Sequence, residues 1–251
     1  ISAMFEHDNS LKELNLDSLD TKNVRNLSSL LSSCYNLESI SMKNIDISNV
    51  KSLKELFMNC KNIKYICLSN WQTEHITNMD YMFYGCNNLE EVDLPEGLEN
   101  ISGYGCFSGC TQLKTITFPS TLKFIDGEMF NGCSNLKTII CKATTPPDYG
   151  RRSPFEGFSK SECALYVPQA SLETYKKKWI WKDFGIYKAI EGENEPVTAC
   201  STPVISYENG QLIFESSTSG AAGYLCLCHG RWLYGIRESC GYPLLAQCRG
   251  R

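Results

Sequence analysis

Histidine is scarce in this chain of 251 residues. His7, His75 and His229 stand far apart and offer little for metal binding or acid–base catalysis. Basic charge is not in excess either. Lys and Arg number 24 against 28 Asp and Glu, a net charge of −4, which argues against a nucleic-acid footprint. No apolar run approaches the roughly 18 residues of a membrane-spanning helix, and none near the N-terminus has the form of a signal peptide. No glycine-rich phosphate loop occurs. With 42% apolar and 21% charged residues, the composition is that of an ordinary globular protein. The chain opens on Ile1-Ser2-Ala3-Met4-Phe5, inside what proves to be a repeat, and is therefore read as a fragment.

Cysteine, by contrast, is abundant, with 14 residues. Cys34, Cys60, Cys86, Cys110 and Cys133 follow one another at 26, 26, 24 and 23 residues, and Asp8 takes the same place 26 residues before Cys34. Spacing of roughly 20–30 residues marks a solenoid. Counting from each column position, apolar residues recur at +3, +6 and +8, as in Leu37/Ile40/Met42, Ile63/Ile66/Leu68 and Leu113/Ile116/Phe118. The last two alternate with polar residues, which predicts a short strand with one buried face. Upstream, Val50, Leu53, Leu56, Phe57 and Cys60 follow the stripe of a short amphipathic helix, matched at Val24–Cys34 and Ile76–Cys86. Each unit is thus expected to be a helical turn, a tight turn and a strand, stacked so that the strands form a parallel sheet. From Leu94 onward the coils Leu94–Ile101 and Phe118–Ile125 add a second extended segment.

Repeats are expected over 1–145 and a loop with a closing segment over 146–192. A linker and first hairpin of a β-sandwich-like module follow over 193–220, and an anomalous tail over 221–251. Tyr166, Tyr175, Trp179, Trp181, Phe184, Ile186 and Tyr187 are expected to cover the last coil's apolar edge; a carbohydrate platform is the sharper but less favoured reading. The hairpin is read at Val204–Tyr207 and Gln211–Phe214. In residues 221–251 four Arg appear with no Lys, against 17 Lys and 3 Arg before, and the alternation stops. The tail is read as a shifted frame, which sequencing across codons 215–225 would check. Cys226-Leu227-Cys228-His229 with Cys240 and Cys248 does not have zinc-ligand spacing, and no metal or cofactor is expected.

The segments M-F-Y-G-C-N-N-L-E-E-V-D-L-P (82–95), C-F-S-G-C-T-Q-L-K-T-I-T-F-P (106–119) and M-F-N-G-C-S-N-L-K-T-I (129–139) resemble the BspA-type leucine-rich repeat proteins of bacterial and some protist cell surfaces. The first three copies, with D-I-S-N-V (46–50), are similar to the 26-residue variant of surface lipoproteins. Segments 165–175 and 179–186 are similar to the end of such solenoids. The resemblance implies an α/β leucine-rich repeat solenoid with an aromatic C-terminal cap and a truncated all-β module. It also implies an exported, non-catalytic surface protein that binds an extracellular protein or glycan; the charge balance and the lack of long apolar runs lead us to expect no nucleic acid partner and no transmembrane segment within this fragment.

The column cysteines read as small buried hydrophobes. Helical turns would hold coils roughly 8–10 Å apart, beyond the roughly 4.4–6.8 Å Cα separation of a disulfide. A thiol enzyme built on Cys67 and His75 is the catalytic alternative, but no acid partner or oxyanion turn accompanies them. The +4 column, Lys12, Glu38, Lys64, Glu90, Lys114 and Lys137, alternates in sign almost throughout and suggests cross-strand ion pairs. The +5 and +7 columns give the candidate binding face: Glu13, Asn15, Ser39, Ser41, Tyr65, Glu91, Asp93, Thr115, Thr117 and Thr138. A structural spacer presenting other domains is the runner-up reading.

Overall fold

The apolar triplets turn inward in every coil of this computed structural model. Leu37, Ile63, Leu89 and Leu113 are fully buried, and Ile66, Val92, Ile116 and Ile139 line the same core from the strands. The structure describes residues 1–190, together with the backbone of four strands nearer the C-terminus. Two units, Ile1–Glu193 and Asn194–Arg251, divide the chain.

In the first unit the strands are β1 (Glu13–Asn15), β2 (Ser39–Ser41), β3 (Tyr65–Cys67), β4 (Glu91–Asp93), β5 (Asn100–Ile101), β6 (Thr115–Phe118), β7 (Phe124–Ile125), β8 (Thr138–Cys141), β9 (Asp148–Tyr149), β10 (Ala164–Val167) and β11 (Ile186–Ala189). All pairs are parallel, as a solenoid requires: β1 with β2, β3 with β4, and the run β6-β8-β10-β11. The second extended segments form their own parallel sheet, β5-β7-β9. Its third strand lies in the stretch expected to be loop.

The helical turns are where the expectation fails. Residues 54–59 are turns, with Glu55 and Asn59 in the left-handed region at φ 57° and 58°. Every second amide leaves the coil: those of Leu53, Glu55, Phe57 and Asn59 donate to the carbonyls of Asn78, Asp80, Met82 and Tyr84 in the next coil at 2.7–2.9 Å. The amides between them, of Leu56, Met58 and Cys60, close turns onto Leu53, Glu55 and Phe57. A helix would keep its amides for itself and force neighbours roughly 8–10 Å apart, while the strands on the other side need about 4.8 Å. Inter-coil bonding wins because it lets both sides share one pitch. The phenylalanine rings record that pitch: Phe57, Phe83, Phe107 and Phe130 stack with centroids 5.2–5.6 Å apart and planes within 10°. The apolar stripe was therefore legible and the element type was not. The only α-helix among the described residues is α1 (Leu172–Lys177).

The expected reason for free cysteines also needs correction, because the turn side is as narrow as the strand side. Each column thiol donates to the carbonyl three residues before the previous column position: Cys34 to Phe5, Cys60 to Leu31, Cys86 to Phe57, Cys110 to Phe83 and Cys133 to Phe107, at 3.0–3.2 Å. Parallel side chains one coil apart hold their Cβ atoms at about the 4.8 Å strand pitch, beyond the roughly 3.8 Å mean of a disulfide. The described cysteines are free thiols.

Beyond Cys133 the turn recurs as Phe155-Glu156-Gly157-Phe158, with phenylalanine in the cysteine's place. Phe155 continues the ring stack 6.3 Å from Phe130, and Trp181 and Phe184 meet its ring edge-on at 4.8 and 5.1 Å. Trp181 donates Nε1–H to the Pro147 carbonyl at 2.9 Å, and Tyr175 donates its hydroxyl to the Ala143 carbonyl at 2.8 Å. Tyr175, Trp181 and Phe184 are core residues, whereas Trp179 and Ile186 are exposed and take no part in that cover.

In the second unit β12 (Val204–Glu208) pairs antiparallel with β13 (Gln211–Glu215), placing the hairpin where alternation indicates it. β14 (Gly223–Cys228) and β15 (Arg231–Ile236) form another antiparallel pair, which the sequence reading did not assign. Its strand-forming residue types are Tyr224, Trp232, Tyr234 and Ile236, masked in the sequence by the change in charge composition. His229, Cys240 and Cys248 of the weighed zinc set lie outside the described residues.

Candidate functional site

Strand pairing sets the candidate face. In β1–β2, Glu13 lies opposite Ser39 and Asn15 opposite Ser41. In β3–β4, Tyr65 lies opposite Glu91 and Cys67 opposite Asp93. In β6–β8, Thr115 lies opposite Thr138 and Thr117 opposite Ile140. The ten candidate residues thus fall into two columns, in three patches, because ladder pairing lapses between β2 and β3 and between β4 and β6. All ten have side chains that are exposed or half-buried, while the residues between them point inward.

Their local bonding differs along the face. Ser41 Oγ donates to Asp17 Oδ2 at 2.7 Å, and Asn15 Oδ1 accepts the Asp17 amide at 2.8 Å. The Tyr65 hydroxyl donates to Asp93 Oδ2, tying the +5 column of one strand to the +7 column of the next. A tyrosine ring edged by two carboxylates, Glu91 and Asp93, is the most chemically distinctive patch on the strands. The +4 column supplies one ion pair of its own, Lys114 with Glu90 at 3.8 Å, while Lys137 reaches Glu162 at 2.7 Å. Lys12, Glu38 and Lys64 form no ion pair among the described residues.

The strand ladder runs on past the ten candidate residues. β10 and β11 extend both columns, with Ala164 and Ile186 continuing from Thr138, and Tyr166 and Lys188 continuing from Ile140. The Lys188 ammonium lies 5.3 Å from the Tyr166 ring centroid. The signal was available in Ala164-Leu165-Tyr166-Val167, where buried Leu165 and Val167 alternate with half-buried neighbours. Reading 146–192 as a closing segment concealed it.

The residues weighed for thiol chemistry have other engagements. Cys67 Sγ lies 3.1 Å from Ser69 Oγ, and His75 Nε2 lies 2.8 Å from the Ile47 carbonyl, which requires the Nε2–H form to donate. Burial pushes the Cys86 and Cys133 thiols up to about 12, and those of Cys141 and Cys163 to about 11. No group of three or more metal-ligating side chains occurs among the described residues. None of their helices is long and apolar enough to cross a membrane.

A family profile described as "BspA type Leucine rich repeat region" matches residues 50–146 in six copies. Among solved structures, a leucine-rich repeat protein from Bacteroides ovatus is similar at 19% identity and a TM-score of 0.35, over 76% of this chain and 63% of that one. This chain therefore spans less than two thirds of that protein's length. No curated protein matches it.

Proposed function

We propose, from the premise that this chain carries BspA-type leucine-rich repeats over residues 50–146, that it is a non-catalytic cell-surface adhesion protein. It recognises proteins or glycans of a host or neighbouring cell through its strand-lined face. Repeats of this class serve as protein-interaction scaffolds, and proteins bearing them are typically surface or secreted bacterial proteins, which supports both halves of the reading. The observation that carries the site is the registered pair of polar columns centred on Tyr65, Glu91 and Asp93. Tyrosine beside carboxylates presents apolar area and hydrogen-bonding groups together, at little entropic loss on binding.

The test is binding of the full chain to an array of glycans and extracellular-matrix proteins, beside a Tyr65→Ala/Glu91→Lys double variant. Saturable binding that the variant loses is the expected result. Binding that survives moves the site away from the strand face. Absence of binding on every surface favours a structural spacer, a reading supported by the unbroken stack of Phe57, Phe83, Phe107 and Phe130, which stiffens the repeats along their length.

A further inference from the structure

A cleft of about 400 Å³ opens on the turn side of the coils, lined by none of the strand-face residues. All of its lining but Tyr104 comes from two columns of the repeat. Tyr81, Gly105 and Glu128 stand five residues before Cys86, Cys110 and Cys133, and Tyr84, Ser108 and Asn131 stand two before them. The first column is left-handed throughout, at φ 55°, 59° and 30°, so its side chains splay outward from the turn. Glycine between a tyrosine and a glutamate leaves the floor open. A Cβ at Gly105 would lie 3.4 Å from the Tyr81 ring and begin to fill it.

Three tyrosines wall the cleft at angles to one another. Tyr81 meets Tyr84 edge-on at 5.6 Å and Tyr104 at 5.7 Å with a 58° tilt. The positions are held from behind: the Tyr104 amide donates to Asp80 Oδ1 at 2.6 Å, and the Tyr104 hydroxyl donates to Glu128 Oε2 at 2.8 Å. Arg152 Nη1 donates to Glu128 Oε1 at 2.9 Å and to the Tyr104 hydroxyl at 3.1 Å, with its guanidinium 5.0 Å from the Tyr104 centroid. These bonds hold Glu128 below the usual carboxylate range and push Tyr104 up, so the phenol stays neutral and the carboxylate charged.

The charge of the cleft decides its ligand. Three rings and a carboxylate resemble a cage for a quaternary ammonium, but Arg152 already neutralises Glu128 and lies against Tyr104. What remains is a lining whose one carboxylate is already paired with Arg152, beside an exposed phenol ring in Tyr84, an amide and a hydroxyl. That combination suits a flat C–H face against an aromatic ring and hydroxyls against polar groups, in a volume within the usual range of roughly 300–1,000 Å³ for small-ligand sites. We infer that this cleft binds a neutral saccharide, one or two pyranose units of a larger glycan, with Tyr84 as the stacking surface and Glu128 and Asn131 as hydroxyl partners. The inference stands on the cleft alone and does not depend on the strand face.

The experiment is saturation-transfer NMR of the full chain with methyl hexosides and neutral disaccharides, repeated with tetramethylammonium. Tyr84→Ala, Glu128→Gln and the strand-face double variant Tyr65→Ala/Glu91→Lys are measured beside it. Tyr84 is surface-exposed, so its loss leaves the core intact. The expected result is saccharide binding weakened at least about tenfold by Tyr84→Ala and by Glu128→Gln, as loss of stacking or of a charge-assisted hydrogen bond predicts. Saccharide binding lost only in the strand-face variant, indifference to Tyr84→Ala, preference for tetramethylammonium, or no saccharide binding would each overturn the inference. Protein binding lost in the strand-face variant bears only on the adhesion reading.

Discussion

At column positions such as Cys86, a buried side chain must be small and must offer one donor. The Phe57 carbonyl already accepts the Cys60 amide of its own turn, and its second lone pair faces the Cys86 thiol of the next coil. Cysteine meets both demands as a small hydrophobe with a weak donor. The arrangement has a pH signature. An unfolded thiol ionises near 9.0, while burial keeps folded Cys86 protonated up to about 12. Its contribution is complete below pH 9 and is lost as pH rises toward the folded value, because only the unfolded state releases its proton there. Urea unfolding from pH 7.5 to 10.5 should show stability falling with pH, and Cys86→Ala should make the slope shallower by about 1.4 kcal/mol per pH unit at most. Equal slopes would remove the thiol from the account.

The element that defines this solenoid is the turn ladder, and its two left-handed positions explain a change of residue type along the chain. One residue before the column, the early coils place His7, Ser33 and Asn59 at φ 58–63°, and the later ones place Gly85, Gly109 and Gly132 at 70–79°. Left-handed backbone costs an L-residue roughly 1–2 kcal/mol. A Cβ at Gly109 would also sit 3.4 Å from the Gly85 backbone. Gly109→Ala should therefore lower stability by about 1–2 kcal/mol. Ser33→Gly should be neutral or raise it by up to about 1 kcal/mol, since relief of strain is partly offset by added unfolded-state freedom. Denaturant midpoints of the two variants moving in the same direction by similar amounts would contradict this ladder.

Over the whole first unit the coils pack chiefly on their neighbours, with a few surface contacts such as Arg152 to Tyr104 reaching two coils away, so stability is close to a sum of local terms and interfaces. The C-terminal end relies on Phe155, Tyr175, Trp181 and Phe184, which bury one another and cover the last ring of the phenylalanine stack. Trp181→Ala should cost about 3–5 kcal/mol. It should also release hydrogen-exchange protection in a gradient, first around β8 and β10 and last around β1 and β2. Uniform loss of protection over all coils would show instead that the unit unfolds as one block.

Periodicity alone established the repeat, its register and the inward triplets, because burying an apolar side chain leaves the same mark in every copy. Leu37, Ile63 and Leu113 were legible as core, and Glu13 through Thr138 as outward columns, from alternation alone. Only the tertiary structure decided what the stripe at Val50–Cys60 becomes. The same inward spacing fits a helix or a turn ladder, and the choice rests on a pitch imposed by strands on the opposite side of the coil. It likewise decided where the thiols point, how far the strand face runs, and that Tyr81, Tyr84, Tyr104 and Glu128 wall one cleft. Those residues span three coils, and their meeting depends on stacking that no single repeat contains.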